Sequence, residues 1–329
     1  MHFLDTTIEP LGMGCWPIGG PMFSGKASIG YTDVDDAESV RTIHAALDGG
    51  IRLFDTAAAY GAGHSERLLG QALKHRPDAL VVTKIGIAID EESKRITFGD
   101  TDPARVAPAV EACLARLGRD RIDLVLLHDN KLPVAEAAPI FAALDALRQA
   151  GKIRAFGWST DFSDSAAAVA GQEGFAAVEH AMNVFVDPPR IQQVVEDHGL
   201  TALIRSPLAM GLLTGAYGAE TQVRQGDIRA GDSLVIPYFR DGRANPEFLA
   251  RLDAVRALLT VGGRSLAQGA IGWLWAKGAR NLPIPGARTV AQIEGLVGAL
   301  TFGALPPSVM AEIDGLLAND RQHAFEQEL

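Results

Sequence analysis

The stretch FDTAAAYG, residues 54–61, places a carboxylate, Asp55, and a phenol, Tyr60, directly after an apolar run. Lys84 and His128 each follow another short apolar run, VVT and LVLL respectively. Continuous apolar runs of this length are typical of buried parallel strands. In a barrel of parallel strands, the carboxyl ends of the strands converge on one face, where active sites lie. We therefore expect these four polar side chains to form one active site at the mouth of such a barrel.

The whole chain alternates between apolar runs and helical stripes. Glycines follow several of the stripes, which include residues 40–47, 66–74, 106–117, 140–147 and 289–300. The predicted strands are residues 11–16, 51–56, 80–85, 122–128, 153–159, 177–182, 202–206 and 282–285. Eight strand-then-helix units in 329 residues, with no domain linker, predict a single α/β domain over residues 1–329. Its expected fold is a (β/α)8 TIM barrel with long loops over the C-terminal mouth, rather than an open sheet.

Composition and charge narrow the classes of partner. A net charge of −10 argues against nucleic acid as a main partner, and no apolar stretch approaches the length of a membrane span. The two cysteines, Cys15 and Cys113, are too few for a disulfide framework, and the N-terminus shows no signal peptide. We therefore expect a cytoplasmic protein. The sequence indicates no oligomeric state.

The stretch at residues 214–245 is long and irregular, with several glycines and charged residues. Loops of this length in compact domains are usually functional or disordered. Two interpretations stay open, a mobile flap over a ligand and a flexible surface insertion.

Residues 50–61, continuing to Glu66, resemble the signature of the aldo-keto reductase family. Five further motifs occur in the family's order, namely VVTKIG around Lys84, LVLLHD around His128, FGWSTD around Ser159, SPLAMGLLTG from Ser206 and PIPGAR from Pro283. The resemblance implies a (β/α)8 barrel that binds a nicotinamide dinucleotide across its C-terminal mouth. It also implies reduction of aldehydes or ketones, or the reverse oxidation.

A Rossmann domain is not expected, because no Gly-x-Gly-x-x-Gly pattern follows a strand. Gly12 and Gly14 are followed by Pro17 where the third glycine would stand. A dinucleotide would therefore have to bind at the barrel mouth.

Carbonyl reduction needs a proton donor for the forming alkoxide. Tyr60 is the proposed general acid, and the ammonium of Lys84 is expected to lower the pKa of the phenol, which is about 10 in free tyrosine. Asp55 is expected to pair with Lys84 and keep it charged. His128 is expected to donate a hydrogen bond to the substrate oxygen. The family resemblance implies the same four roles, and they are also reasonable acid–base chemistry.

The resemblance also implies residues that hold the cofactor. Those expected near the nicotinamide are Cys15, Trp16, Asp55, Ser159, Thr160, Glu179 and Arg205. The family usually has Asn at position 160 and often Gln at 179. A carboxylate at 179 can accept a hydrogen bond from the carboxamide NH₂ but cannot donate to its oxygen. Arg205 stands where many relatives have an aromatic ring, and a guanidinium can also stack on the nicotinamide.

Other residues are expected along the phosphates, namely Ser206, Leu208, Gly211, Leu212, Gly286, Arg288 and Gln292. Arg288 would meet an adenosine 2′-phosphate, so NADP(H) is favoured and NAD(H) is possible. The family often has Glu-Asn where Gly295 and Leu296 stand, which weakens the expected contact with adenine.

The substrate pocket is expected to be lined by Trp16, Trp158 and Phe23. Strand alternation leaves open that Trp158 instead packs outward under a helix. A tryptophan-lined mouth suits an apolar or sugar-like carbonyl. A metal site is not expected, because the adjacent His128 and Asp129 would point to opposite faces of a strand.

The sequence therefore predicts an NADP(H)-dependent aldo-keto reductase acting on a small carbonyl, alcohol or sugar. One alternative is a catalytically weak, cofactor-binding regulatory barrel of the same family. Another is a barrel isomerase or lyase that uses Lys84 as a base or Schiff-base amine.

Overall fold

The computed structural model describes residues 1–231 and 237–317. Within them, eight parallel strands form the central sheet, in chain order around it. They are β1 (Gly12–Gly14), β2 (Leu53–Asp55), β3 (Leu80–Ile85), β4 (Ile122–Leu127), β5 (Ile153–Ser159), β6 (Phe175–Ala181), β7 (Thr201–Arg205) and β8 (Asn281–Pro283). A parallel bridge between Gly14 in β1 and Gly286, just after β8, brings the two edges of the sheet together, so the sheet forms a barrel. The predicted (β/α)8 fold is confirmed.

Closure of the barrel depends on a close backbone approach at Gly14. Its amide donates to the carbonyl of Pro285 at 3.0 Å. A Cβ at position 14 would lie 2.5 Å from the carbonyl oxygen of Ile284, closer than real Cβ atoms come to backbone. Glycine is therefore required where β1 meets the end of β8.

Helices follow the strands and cover the barrel from outside. In the described ranges they are α1 (Asp36–Asp48), α2 (His64–Ala72), α3 (Val106–Leu117), α4 (Val134–Gln149), α5 (Ser163–Val169), α6 (Pro189–Asp197), α7 (Pro246–Leu259), α8 (Leu266–Lys277), α9 (Val290–Val297) and α10 (Pro307–Leu317). Capping residues explain several of their ends. Asp35 accepts a hydrogen bond from Glu38 N at the start of α1, and Gly118, with φ 62°, ends α3 in the left-handed conformation. None of the helices in the described part of the chain is long and apolar enough to cross a membrane.

Strand alternation divides the core into two layers. Leu53, Val82 and Leu124 point into the barrel, while Val81 and Val125 point outward beneath the helices. The interior layer also includes residues of the antiparallel hairpin formed by His2–Phe3 and Thr6–Thr7. Because this hairpin packs against the amino-terminal ends of the strands, polar chemistry is left to the opposite, carboxyl-terminal mouth.

Two loop structures surround that mouth. A small four-stranded sheet consists of Phe23–Ser24, Ala27–Ser28, Ile87–Asp90 and Arg95–Phe98. The stretch at 214–245 contains a short 3₁₀ helix at Ile228–Ala230 and a hairpin of Phe239–Arg240 with Arg243–Ala244. Residues 232–236 of the proposed flap lie outside the described residues. The rest of that stretch forms secondary structure and makes hydrogen bonds to neighbouring segments. This argues against the interpretation as a flexible surface insertion.

Candidate active site

The site is built from the last inward-facing positions of successive strands. Asp55 ends β2, Lys84 precedes the last residue of β3 and His128 follows β4. Each has the same parity along its strand as an interior residue, so each side chain points into the barrel mouth. Ser159 and Glu179 occupy equivalent positions on β5 and β6. The residues expected from the sequence to converge are therefore brought together by the barrel.

Lys84 is at the centre of the site and is completely buried. Its Nζ lies 2.7 Å from both carboxylate oxygens of Asp55, 3.0 Å from the carbonyl oxygen of Thr56 and 3.2 Å from Oη of Tyr60. An ammonium has three N–H groups, and these contacts use all of them. The predicted pairing with Asp55 and the predicted contact with Tyr60 are both present.

The electrostatics of the site keep Lys84 charged. Burial alone would lower the pKa of its amine, but the carboxylates of Asp55 and Glu179 outweigh burial and raise it. An ammonium that stays protonated cannot act as a nucleophile or a base. The charge of the amine therefore disfavours the alternative of an isomerase or lyase using Lys84.

The pKa of the Tyr60 hydroxyl differs from the prediction. Burial raises this pKa above its ordinary value, Lys84 opposes the rise, and Asp55 and Glu179 add to it. The predicted effect of the lysine is confirmed in direction, but the predicted net lowering is wrong. The reason is that the site is dry and holds two carboxyl groups beside one amine.

His128 is a neutral imidazole in this environment. Burial, with the nearby charges of Lys84 and Arg205, lowers its pKa to about 3. Its ring packs edge-on to Tyr60, with ring centroids 6.0 Å apart. Nδ1 is buried and has no hydrogen-bond partner among the described residues. The ring proton is therefore best placed on Nε2, which leaves Nε2–H free to donate.

The aromatic residues predicted for the pocket separate into two environments. Trp16 is half-buried and stacks on Tyr60, with ring centroids 5.8 Å apart and planes 17° apart, so it forms a wall of the site. Trp158 is 0% exposed, packs against Phe141 of α4 and donates its indole N–H to the carbonyl of Asp129 at 2.8 Å. The pocket prediction for Trp158 is wrong, because this side chain faces outward from β5. Phe23 lies in the small sheet, and its contact with substrate stays a prediction.

Glu179, predicted to lie near the nicotinamide, makes a contact that sequence reasoning did not foresee. Its Oε2 lies 3.1 Å from Nζ of Lys84, and both side chains are almost fully buried. Because the three N–H groups of Lys84 are used elsewhere, this oxygen accepts no hydrogen bond from the described residues. A second carboxyl group thus contacts the central lysine. The available signal was its strand-end position, equivalent to that of Asp55.

Asp161 is a residue at the mouth that sequence reasoning missed. It is buried, accepts a hydrogen bond from Ala181 N at 2.8 Å and one from Asn130 Nδ2 at 3.0 Å, and is paired with Arg205. Thr160, predicted to contact the cofactor, donates its hydroxyl proton to the carbonyl of Asn130 at 2.8 Å. The hydroxyl of Thr160 can therefore accept but no longer donate to a ligand. Arg205 stays half-exposed at the mouth.

The segment after β7 has an unusual backbone. Ser206, Ala209 and Met210 have φ values of 53°, 47° and 57°, and Gly211 has 97°. Left-handed conformations of non-glycine residues cost energy and cluster at ligand sites. Leu208 and Leu212 are buried in the core, so contacts of this segment with a ligand would be made by its backbone.

At the last strand, Arg288 donates to the carbonyl of Thr32 at 3.3 Å and lies over the ring of Tyr31. Gln292 accepts a hydrogen bond from the backbone N–H of Arg288 at 2.8 Å, which orders the entry to α9. A Cβ at Gly286 would collide with the ring of Pro17, so glycine there serves the barrel closure.

Cys15 has a different environment from the one predicted. Its thiol is 0% exposed, points outward from β1 and lies 3.6 Å from the carbonyl oxygen of Met13. A side-chain contact with a cofactor is therefore contradicted. Within residues 1–231 and 237–317, no three histidine, cysteine, aspartate or glutamate side chains are grouped to hold a metal ion.

Fold and site together define a (β/α)8 barrel with a buried acid–base cluster at the carboxyl ends of its strands. The profile of the Aldo/keto reductase family matches residues 10–318. The chain belongs to this family, as the order of its motifs predicted.

Relatives agree with this membership. Aldo-keto reductase YhdN of Bacillus subtilis (strain 168) is 34% identical over 333 residues, covering 96% of this chain and 92% of the relative. NADH-specific methylglyoxal reductase of Escherichia coli (strain K12) is 33% identical over 226 residues, covering 64% of this chain and 67% of the relative. Aldo-keto reductase yakc [NADP(+)] of Schizosaccharomyces pombe is 28% identical over 310 residues, covering 90% of this chain and 85% of the relative. The solved structure of glycerol dehydrogenase AKR11B4 from Gluconobacter oxydans has a TM-score of 0.80 at 33% identity, covering 99% of this chain and 95% of that one.

Proposed function

We propose that this protein is an NAD(P)H-dependent oxidoreductase that reduces small aldehydes or ketones, or oxidises the corresponding alcohols or sugars. The observation that carries the proposal is the contact of 3.2 Å between Lys84 Nζ and Tyr60 Oη inside a buried site. A charged amine so close to a phenol stabilises the phenolate that remains after proton donation. Membership of the aldo/keto reductase family supports the same conclusion.

The polar atoms of the site fit a nicotinamide and a carbonyl substrate. Trp16 Nε1, His128 Nδ1 and Glu179 Oε2 are buried without a hydrogen-bond partner among the described residues. Such groups are rare in native proteins and call for an explanation such as a ligand. Ser159, Glu179 and Arg205 would hold the nicotinamide, and the strained segment after β7 would hold the phosphates through its backbone.

The bound nicotinamide would supply the hydride. Tyr60 gives its hydroxyl proton to the oxygen of the substrate carbonyl, which becomes the alcohol, and keeps the negative charge as phenolate. Lys84 stabilises this charge, and Asp55 holds Lys84 in place. His128 donates from Nε2 to the same substrate oxygen and orients the carbonyl.

The preferred cofactor is NADP(H), because Arg288 stands at the end of β8 beside the start of α9, where it could pair with a 2′-phosphate. NAD(H) is possible, and the names of the relatives differ in this respect, with NADH in one and NADP(+) in another. The names glycerol dehydrogenase and methylglyoxal reductase favour a small polar carbonyl or polyol as the substrate.

Steady-state kinetics with NADPH and NADH, against small aldehydes and ketones and in reverse against polyols, test the proposal. We expect turnover with at least one carbonyl class and a lower Kd for NADPH than for NADH. Tight cofactor binding without turnover on any of these substrates would favour the regulatory barrel instead. Absence of both binding and turnover would contradict the oxidoreductase proposal.

A further inference from the structure

The charges around Lys84 do not balance if every group has its usual ionisation. Asp55 and Glu179 are both buried against one ammonium, with exposed side-chain fractions of 3% and 2%. Two carboxylates and one amine would leave a net negative charge in a dry cavity, which is costly. The ionisable groups of other elements that face the pair are Tyr60, His128 and Arg205, and the nearby thiol of Cys15 points outward. Of these, Arg205 is already paired with Asp161.

Hydrogen-bond geometry identifies where the imbalance lies. The three N–H groups of Lys84 are shared among four acceptors, namely both carboxylate oxygens of Asp55 at 2.7 Å, the carbonyl of Thr56 and the hydroxyl of Tyr60. Oε2 of Glu179 receives none of them, although it lies 3.1 Å from Nζ. Asp55 and Glu179 both contact the same nitrogen of Lys84, at 2.7 and 3.1 Å, so the two carboxyl groups flank one ammonium.

We infer that Asp55 and Glu179 hold one proton between them in the resting protein, and that Glu179 thereby acts as a positioning residue that sets the charge around Tyr60. The inference rests on the proposed function for its catalytic consequence, but not for the proton itself. It also accounts for a glutamate where the family often has glutamine. A carboxyl group that carries a proton offers a donor as well as an acceptor, as an amide does.

The direction of the pKa shift agrees with this geometry. Burial and the neighbouring Glu179 raise the pKa of the Asp55 carboxyl. With the proton bound, Lys84 and the pair sum to zero charge. Loss of the proton adds a negative charge that raises the pKa of Tyr60 further and makes it a weaker acid.

Stability as a function of pH tests the shared proton without cofactor or turnover. Free carboxyl groups ionise near pH 4, so the unfolded chain releases a proton there that the folded chain keeps. As the pH is raised above about 4.5, the folding equilibrium constant of wild type should therefore fall relative to that of Glu179→Gln. The difference should grow by up to about tenfold per pH unit, until the folded chain also releases the proton. Glu312→Gln, at an exposed position of α10, is the control and should stay parallel to wild type. If the folding stabilities of wild type and Glu179→Gln change with pH in parallel, the inference is overturned.

Infrared spectroscopy of wild type avoids dependence on the variant's folding. Protein labelled with ¹³C at the aspartate and glutamate side-chain carboxyls should show, at pH 7, a protonated-carboxyl band that shifts with the label. Absence of any label-dependent band would overturn the shared proton.

The catalytic consequence is tested by the rate of carbonyl reduction against pH. Wild type should lose kcat/KM at alkaline pH when the pair ionises, while Glu179→Gln should keep its rate to higher pH. If kcat/KM falls at the same alkaline pH in wild type and in Glu179→Gln, the role of Glu179 is contradicted. An inactive protein that still shows the stability difference and the infrared band would contradict the proposed function but leave the shared proton standing.

Discussion

At the scale of single residues, the hydroxyl of Tyr60 can be removed with little loss of packing. The ring of Tyr60 contacts Trp16 and His128, and these contacts survive in Tyr60→Phe. We expect turnover to fall by about 10²–10⁴-fold, the usual contribution of general acid catalysis, with the fold and the cofactor affinity unchanged. The measurements are kcat and a fluorescence titration with NADPH.

A matched control is Tyr238→Phe. Tyr238 is also buried, and its hydroxyl accepts a hydrogen bond from Asn183 Nδ2 at 2.9 Å rather than from a lysine. Its loss should change turnover by less than about tenfold, since a hydrogen bond of this kind is worth about 1 kcal/mol. Near-normal turnover in Tyr60→Phe would refute its role as the acid.

Arg288 is the residue that should distinguish the two nicotinamide cofactors. Its guanidinium lies over the ring of Tyr31, 5.8 Å from the ring centroid, and so is held near the start of α9. Arg288→Ala should weaken the binding of NADPH by about 10–100-fold and leave the binding of NADH almost unchanged. The reason is that a hydrogen bond to a charged group is worth about 1.5–3 kcal/mol. Titrations with both cofactors measure this, with Arg256→Ala on α7 as the control. Equal losses for the two cofactors would mean that Arg288 does not contact the 2′-phosphate.

At the scale of structural elements, Arg229 joins the stretch at 214–245 to the first loop. It forms a buried ion pair with Asp227, donates to the hydroxyl of Tyr217 at 2.6 Å and lies over the ring of Tyr31. Arg229→Met leaves Asp227 buried and unpaired, a change that typically costs about 3–5 kcal/mol. Because the cost can be relieved by local opening, we expect faster amide hydrogen exchange in this stretch together with a lower Tm.

The pair of Arg224 with Asp33 offers the matched control, because it joins the same two loops but is exposed. Arg224→Gln should change Tm very little, since exposed ion pairs contribute about 0–1 kcal/mol. If both substitutions change Tm and hydrogen exchange equally, burial of the Arg229 pair is not what stabilises the stretch.

The barrel elements could be predicted because their signal is local. The apolar runs gave all eight strands, and residues 80–85 and 153–159 coincide with β3 and β5. The small sheet around residues 87–98 could not be predicted, since Phe23 pairs with Arg95 across a large separation in a strand too short to show periodicity. For Trp158, the sequence left open both a place in the pocket and outward packing, and the structure shows outward packing. If Ser159 faces the mouth, its neighbour on the strand must face the helices.

At the scale of the whole molecule, the sequence predicted which residue types meet at the mouth but not the charge that results. The four expected groups meet because each follows a strand of one closed sheet. The second carboxyl group at Lys84, and the raised pKa of Tyr60 that follows from burial, depend on distances that only the folded chain fixes. Net charge, at −10, says nothing about this local balance.

Stability in acid is a property of the whole molecule that buried imidazoles should control. Burial lowers the pKa of His180 to about 4, and Nε2 of its ring contacts Gln192 Nε2 at 2.9 Å. The unfolded chain binds a proton at this residue near pH 6.5, whereas the folded chain does not until about pH 4. The stabilisation is therefore fully present above about pH 6.5, and about 3 kcal/mol of it is lost as the pH falls towards 4.

His180→Gln removes the titrating group and keeps a polar side chain beside Gln192. In urea unfolding between pH 7 and 4.5, the free energy of unfolding of wild type should fall faster than that of the variant, by up to about 1.4 kcal/mol per pH unit. His198→Gln, at the exposed end of α6, is the control and should follow wild type. If His180→Gln also follows wild type at every pH, His180 takes up its proton equally in both states, and acid sensitivity must come from other groups, including His128, whose pKa burial also lowers.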